Sequence, residues 1–197
     1  MGEHADRGDY APRVPSLQAG TYTLGPENGT LSVRTRRSGA AAKAGHDLLL
    51  HVTAWEARLA VGTDVARTSL ELHVDATSLR VIEGTGGMKA LDDDDRANIG
   101  QTIDEEVLKR QDVTFRSTRI QPAEDGGFRV EGDLTLLGTT RPLAFVVAVT
   151  ADDALSATAV VTQSSWGMKP YSTLFGALKV VDEVEVAIAV HLPAPQP

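Results

Sequence analysis

The stretch "GFRVEGDLTL", residues 127–136, sets Phe128, Val130, Leu134 and Leu136 on one phase and Arg129, Glu131, Asp133 and Thr135 on the other. Successive side chains of a strand point to opposite faces, so this period of two marks an extended segment with one apolar side. The same alternation runs through "LSVRT" (31–35), "SLELHV" (69–74), "VTFRSTR" (113–119) and "EVEVAIAVHL" (183–192). "LAFVVAV" (143–149) and "LSATAVV" (155–161) are apolar on both faces with one face mostly small, and "EDGG" (124–127) and "ADD" (151–153) punctuate them as turns. About eight strands are expected. Many short strands at regular spacing read as a sandwich or an antiparallel barrel, and closure into a barrel removes sheet edges.

One helix interrupts the series. "DDDDRANIGQTIDEEVLKR" (92–110) spaces Ile99, Ile103 and Val107 four apart, with aspartates at its start and Lys109 and Arg110 at its end, as the helix dipole prefers. It is expected over about 92–110, inside a long connection from Thr77 to Asp112. Residues 1–18 read as a loose arm, 19–192 as the β domain, and 193–197 as a proline-rich tail that ends the fold.

Composition narrows the function. At 197 residues the chain is long enough to bury a core as one domain. It has no cysteine, which excludes disulfides, thiolate catalysis and cysteine metal sites and leaves histidine and carboxylate as metal ligands. No cofactor is implied. A net charge of −8 without a Lys/Arg cluster argues against nucleic acid as a partner. No apolar run reaches a signal sequence or a transmembrane segment, and a cytoplasmic location is expected.

The motif candidates thin out on inspection. "GTGGMK" (84–89) lacks the spacing and the Ser/Thr of a phosphate loop, and the aspartates 92–95 lack the alternating ligands and central glycine of a calcium loop. Of the five histidines, His4 lies in the arm, and His73 and His191 occupy the polar phase of their strands. His46 and His51 are five apart, on opposite faces of one strand. The adjacent pair His46 and Asp47 admits a structural or ligand-contacting role, a surface role, or metal or acid–base chemistry.

"SSWGMKPYSTLFGALKV" (164–180) gathers Trp166, Met168, Tyr171 and Phe175 between Gly167, Pro170 and Gly176. These side chains either plug one end of the barrel or line a pocket for an apolar ligand with a polar end. Lys169 or Arg110 could meet an anionic head group. Aromatics make up only 5% of the chain, so an eight-stranded lumen has few large side chains to fill it.

Three blocks, "ANIGQTIDEEVLKRQDVTFRSTRI", "FRVEGDLTLLGTTRPLAFVV" and "SSWGMKPYSTLFGALKVVDEVEVAI", resemble in order the YceI-like family over about residues 20–192. "GDLTLLGTTRPL" (132–143) is the most specific part. The resemblance implies a lipocalin-like antiparallel barrel of eight strands with a helix beside it, a polyisoprenoid or other lipid in the lumen, and a possible homodimer. Many relatives are exported, whereas no signal peptide is seen here. "GHDLLLHVTAWEARL" stands where an arginine–histidine–methionine turn is usual, so the chain looks like a "GHDL" branch.

The expected function is binding of an apolar or amphipathic small molecule as a carrier or sequestering protein, with no catalytic residues and no metal. His46, Phe115, Trp166, Met168, Lys169, Tyr171 and Phe175 are the candidate ligand contacts. The alternative is an enzyme or metal protein using His46 at the barrel mouth. On its strand His46 shares a phase with Leu48 and Leu50, while Asp47 faces the other way or stays in the turn.

Overall fold

The computed structural model describes residues 17–124, 126–150 and 154–196. Most of the expected arm and the "ADD" turn lie outside these residues. The alternating segments all form strands, and they join into one curled antiparallel sheet. In chain order the elements are β1 (Gly20–Leu24), β2 (Gly29–Thr35), β3 (Arg37–Ser38), β4 (His46–Val52), β5 (Trp55–Val61), β6 (Ser69–Val74) and β7 (Leu79–Gly86). The helix α1 (Asp93–Thr102) follows, then β8 (Val113–Pro122), β9 (Phe128–Leu136), β10 (Thr139–Val149), β11 (Ala154–Thr162), β12 (Ser172–Thr173), β13 (Leu178–Val180) and β14 (Glu183–His191).

Among the described residues eleven strands, not eight, make the main sheet, in the order β1-β5-β6-β8-β9-β10-β11-β14-β2-β4-β7, and β12, β13 and β3 form a small second sheet. The additional members are β1, which is short, β5, which follows β4 after two residues, and β7, whose "EGTG" end reads as loop. The expected connection from Thr77 to Asp112 therefore contains a strand. Nor, among the described residues, does the sheet close by pairing, since β1 and β7 are its two edges.

Both edges are covered by other means. Thr21 on β1 exchanges backbone hydrogen bonds with Gln196, at 3.0 and 2.7 Å, using a backbone donor of the proline-rich tail. On the other side α1 packs against β7. Covering an edge in this way hides unpaired backbone groups that would otherwise recruit another chain.

The motif "GDLTLLGTTRPL" is the β9–β10 hairpin. Leu136 faces Thr139 across Leu137 and Gly138, whose φ angles of 48° and 72° are those of a tight hairpin turn matched to strand twist. Pro142 is tolerated because β10 pairs with β11 at Val147–Val149, and the first half of β10 has no strand partner on that side among the described residues. Gln163–Trp166, a 3-10 turn, packs beside this open stretch. Register shifts fall at Ser117/Arg119 and at Leu49/Leu50, irregularities of the kind that bend a strand and raise its twist.

The helix is shorter than its sequence pattern. A capping box holds its start: the Asp92 carboxylate accepts from Asp95 N at 2.8 Å, and Asp95 accepts from Asp92 N at 3.3 Å. After Thr102 the backbone widens into a π-turn over Ile103–Val107, and Lys109 and Arg110 stop it at φ 53° and 54°. Residues 92–110 are thus a ten-residue helix with an irregular tail, and Arg110 folds back onto Asp104 and Glu105.

Two buried apolar clusters brace the curl. One joins Tyr22, Leu24, Leu31, Val52, Trp55 and Leu59, and the other joins Phe115, Ile120, Val130, Leu134, Trp166 and Met168.

Candidate functional site

The inward phase of the sheet does not fill its interior. A cavity of about 490 Å³ runs inside the curl, with walls from all eleven main-sheet strands, from Leu24 on β1 to Leu79 on β7, from α1 and from the segment after β11. Its lining residues are aliphatic or aromatic, apart from Thr35, Thr68, Asn98, Thr102, Ser156, Gln163 and Tyr171. None is charged. The alternation explains this: Leu48 and Leu50 on β4, Leu70 and Leu72 on β6, Leu134 and Leu136 on β9, and Val184 and Val186 on β14 all point inward. On β11 the inward positions include Ala157 and Ala159, and such small side chains leave room.

The expected contacts divide into three groups. Phe115, Met168 and Tyr171 line the cavity. Phe115 leans on Phe145 with ring centroids 5.4 Å apart. Trp166 is buried behind the wall instead, where its Nε1–H donates to the Leu134 carbonyl at 3.0 Å. Lys169 is exposed, and Phe175 lies wholly in solvent. Within the 164–180 segment Trp166 plugs the gap beside β10, Met168, Tyr171 and Val180 line the cavity, and Leu174 and Phe175 leave the core.

His46 lies in the phase of Leu48 and Leu50 but stops short of the cavity. Its Nε2 makes a 2.8 Å hydrogen bond with the Lys89 carbonyl, and its ring fills the space over Gly87, where φ is +73° and an added Cβ would come within 2.2 Å of it. This ties the β7–α1 loop to the start of β4. Asp47 is on the strand, opposite Thr85, and accepts from Arg37 N at 2.8 Å. The two side chains diverge, so they do not form a dyad. Among the described residues no three His, Asp or Glu side chains gather where they could hold a metal ion.

Sequence reasoning missed Gln163. It is a buried polar side chain on the cavity wall, anchored by Nε2 donating to the carbonyls of Val181 and Asp182 at 3.1 and 3.2 Å. Its position in a polar tetrapeptide gave no signal of burial. Asn98 and Tyr171 line the cavity and are themselves exposed, which marks where the lumen meets the surface.

The comparisons bear on the fold. BcnA of Burkholderia cenocepacia superposes with a TM-score of 0.57 at 15% identity, over 82% of this chain and 94% of that one. A cysteine variant of the Campylobacter jejuni YCEI protein gives 0.52 at 13% identity, over 72% and 81%. Another variant of it, described with a monobromobimane guest, gives 0.51 at 12% identity over 96% of each chain. No curated protein matches the chain in sequence. Among the described residues no helix is long and apolar enough to cross a membrane. A family model, the YceI-like domain, matches residues 22–192, and with that span covered the chain belongs to the YceI-like family.

Proposed function

We propose that the protein binds one apolar or amphipathic molecule, an isoprenoid or another lipid, inside the curled sheet, as a carrier or sequestering protein. The observation that supports this most is the uncharged lining of a 490 Å³ cavity. That volume is in the ordinary range for small-molecule sites. A charged substrate would lose its hydration there without a partner, at a cost of several kcal/mol. An apolar chain gains about 25 cal/mol per Å² of surface removed from water.

Orientation would come from few groups. Asn98, Thr102 and Tyr171 supply polar contacts for a head group, and Gln163 supplies one on the wall. Nothing in this lining is a nucleophile paired with a base, so binding accounts for it without bond chemistry.

Native mass spectrometry of the purified chain with farnesol and with palmitic acid, followed by organic extraction, tests the proposal. One bound molecule per chain, extracted intact, is the expected result. A chain that stays empty against both and against a wider lipid panel overturns it.

A further inference from the structure

Two segments at one end of the molecule, 36–46 and 164–181, hold five cations, Arg36, Arg37, Lys43, Lys169 and Lys179, and no carboxylate, in a chain of net charge −8. They interlock. Ser38 and Arg37 on β3 pair with Lys179 and Val180 on β13, Ala41 N donates to Ala177 O at 2.8 Å, and Val181 N donates to Arg36 O at 2.8 Å. Arg36, Lys43, Lys169 and Lys179 are exposed, and none of the four is in an ion pair among the described residues.

The apolar side chains at this end are also displayed. Phe175 has a relative exposure of 112%, Met88 of 86% and Leu174 of 52%. Leu174 and Phe175 are presented on left-handed backbone, φ 51° and 54°, a conformation that bulky residues rarely adopt. Met88 belongs to the β7–α1 loop, which Arg37 and His46 hold against the same end through the Thr85 and Lys89 carbonyls. Tyr171, three residues before Leu174 in the chain, lines the lumen and is itself exposed.

We propose that this rim docks on an anionic lipid bilayer, with Leu174 and Phe175 entering the interface and the unpaired lysines meeting lipid phosphates. Aromatic and aliphatic side chains flanked by lysines suit the headgroup boundary, where apolar burial and attraction to anionic lipid add. Of the carboxylates beside the rim, Asp47 pairs with Arg37 and Asp182 accepts from Ser164, while Glu183 is in no ion pair among the described residues; at the start of α1, Asp92 and Asp95 share Lys89, Asp93 pairs with Arg96, and Asp94 is in no ion pair among the described residues. The inference stands on the rim alone and does not require the lumen reading. If both hold, docking places the lumen's Tyr171 side at a source of lipid.

Flotation of the full chain with vesicles tests it, using phosphatidylcholine alone and phosphatidylcholine with one quarter phosphatidylglycerol. Leu174→Asn combined with Phe175→Asn removes the apolar tip and suits the left-handed backbone, which asparagine tolerates. Lys169→Glu combined with Lys179→Glu reverses the charge. Wild type is expected to float with the anionic vesicles and about tenfold less with neutral ones, and both double variants to lose about tenfold. All are expected to keep wild-type uptake of N-phenylnaphthylamine without vesicles, which separates rim from lumen. Absence of flotation with anionic vesicles, equal flotation with neutral ones, or double variants that float like wild type overturns the proposal. So does a dimer in analytical ultracentrifugation that the asparagine pair disperses, because a second copy would then occupy the patch.

Discussion

Gly132 carries more of the fold than its size suggests. It lies in the middle of β9, and a Cβ there would stand 2.4 Å from the Arg116 carbonyl and 2.5 Å from the Phe115 ring. Gly132→Ala is therefore expected to cost about 1–3 kcal/mol in chemical unfolding, by pushing Phe115 off its place on the cavity wall. Trp166 is the second sensitive residue. Trp166→Phe keeps the apolar body but leaves the Leu134 carbonyl without that donor, an expected loss of about 1 kcal/mol, and Trp166→Ala is expected to lose about 3–5 kcal/mol. Residue phase was the legible part of the site: Phe115 follows from strand alternation. Which aromatic of the 164–180 segment turns inward was not legible. Backbone angles at Gly167, Leu174 and Phe175 decide it, and no periodicity reports them.

At the scale of elements, the start of α1 is an electrostatic unit. Hydrogen bonding to Lys89 is the first cause holding the Asp95 carboxyl below its ordinary 3.8, and Asp95 in turn holds the Lys89 ammonium above 10.5. A lowered carboxyl contributes stability above 3.8 that is lost as pH falls through its native value. A raised ammonium contributes stability below 10.5 that is lost as pH rises through its native value. The melting temperature of Lys89→Met is thus expected to fall below wild type across the neutral range, the gap narrowing in strong acid and again in strong base. Parallel melting curves at every pH would contradict this. The aspartate run made the helix start legible. Its end was not, because three apolar residues four apart describe a helix and a π-turn equally well. The strand β7 was hidden for a similar reason: its Gly-rich end imitates a loop, although Gly84 is packed against Leu91.

At the scale of the whole molecule, the described residues form a sheet that curls without closing and leaves its middle open. The class was legible, since alternating strands with one helix appear throughout the chain. Strand number and closure were not, because they depend on which distant segments cover the edges, here Gln196 on β1 and α1 on β7. That arrangement leaves a lumen walled on β11 by Ala157 and Ala159. Filling it from inside separates binding from stability. Ala159→Trp projects a large ring into the cavity, so titration of N-phenylnaphthylamine fluorescence into wild type and this variant, at matched melting temperature, tests the lumen directly. Saturable one-to-one binding by wild type and at least about tenfold weaker binding by Ala159→Trp is the expected result. Equal affinity of the two, or no saturable binding by wild type, would contradict a ligand held inside the sheet.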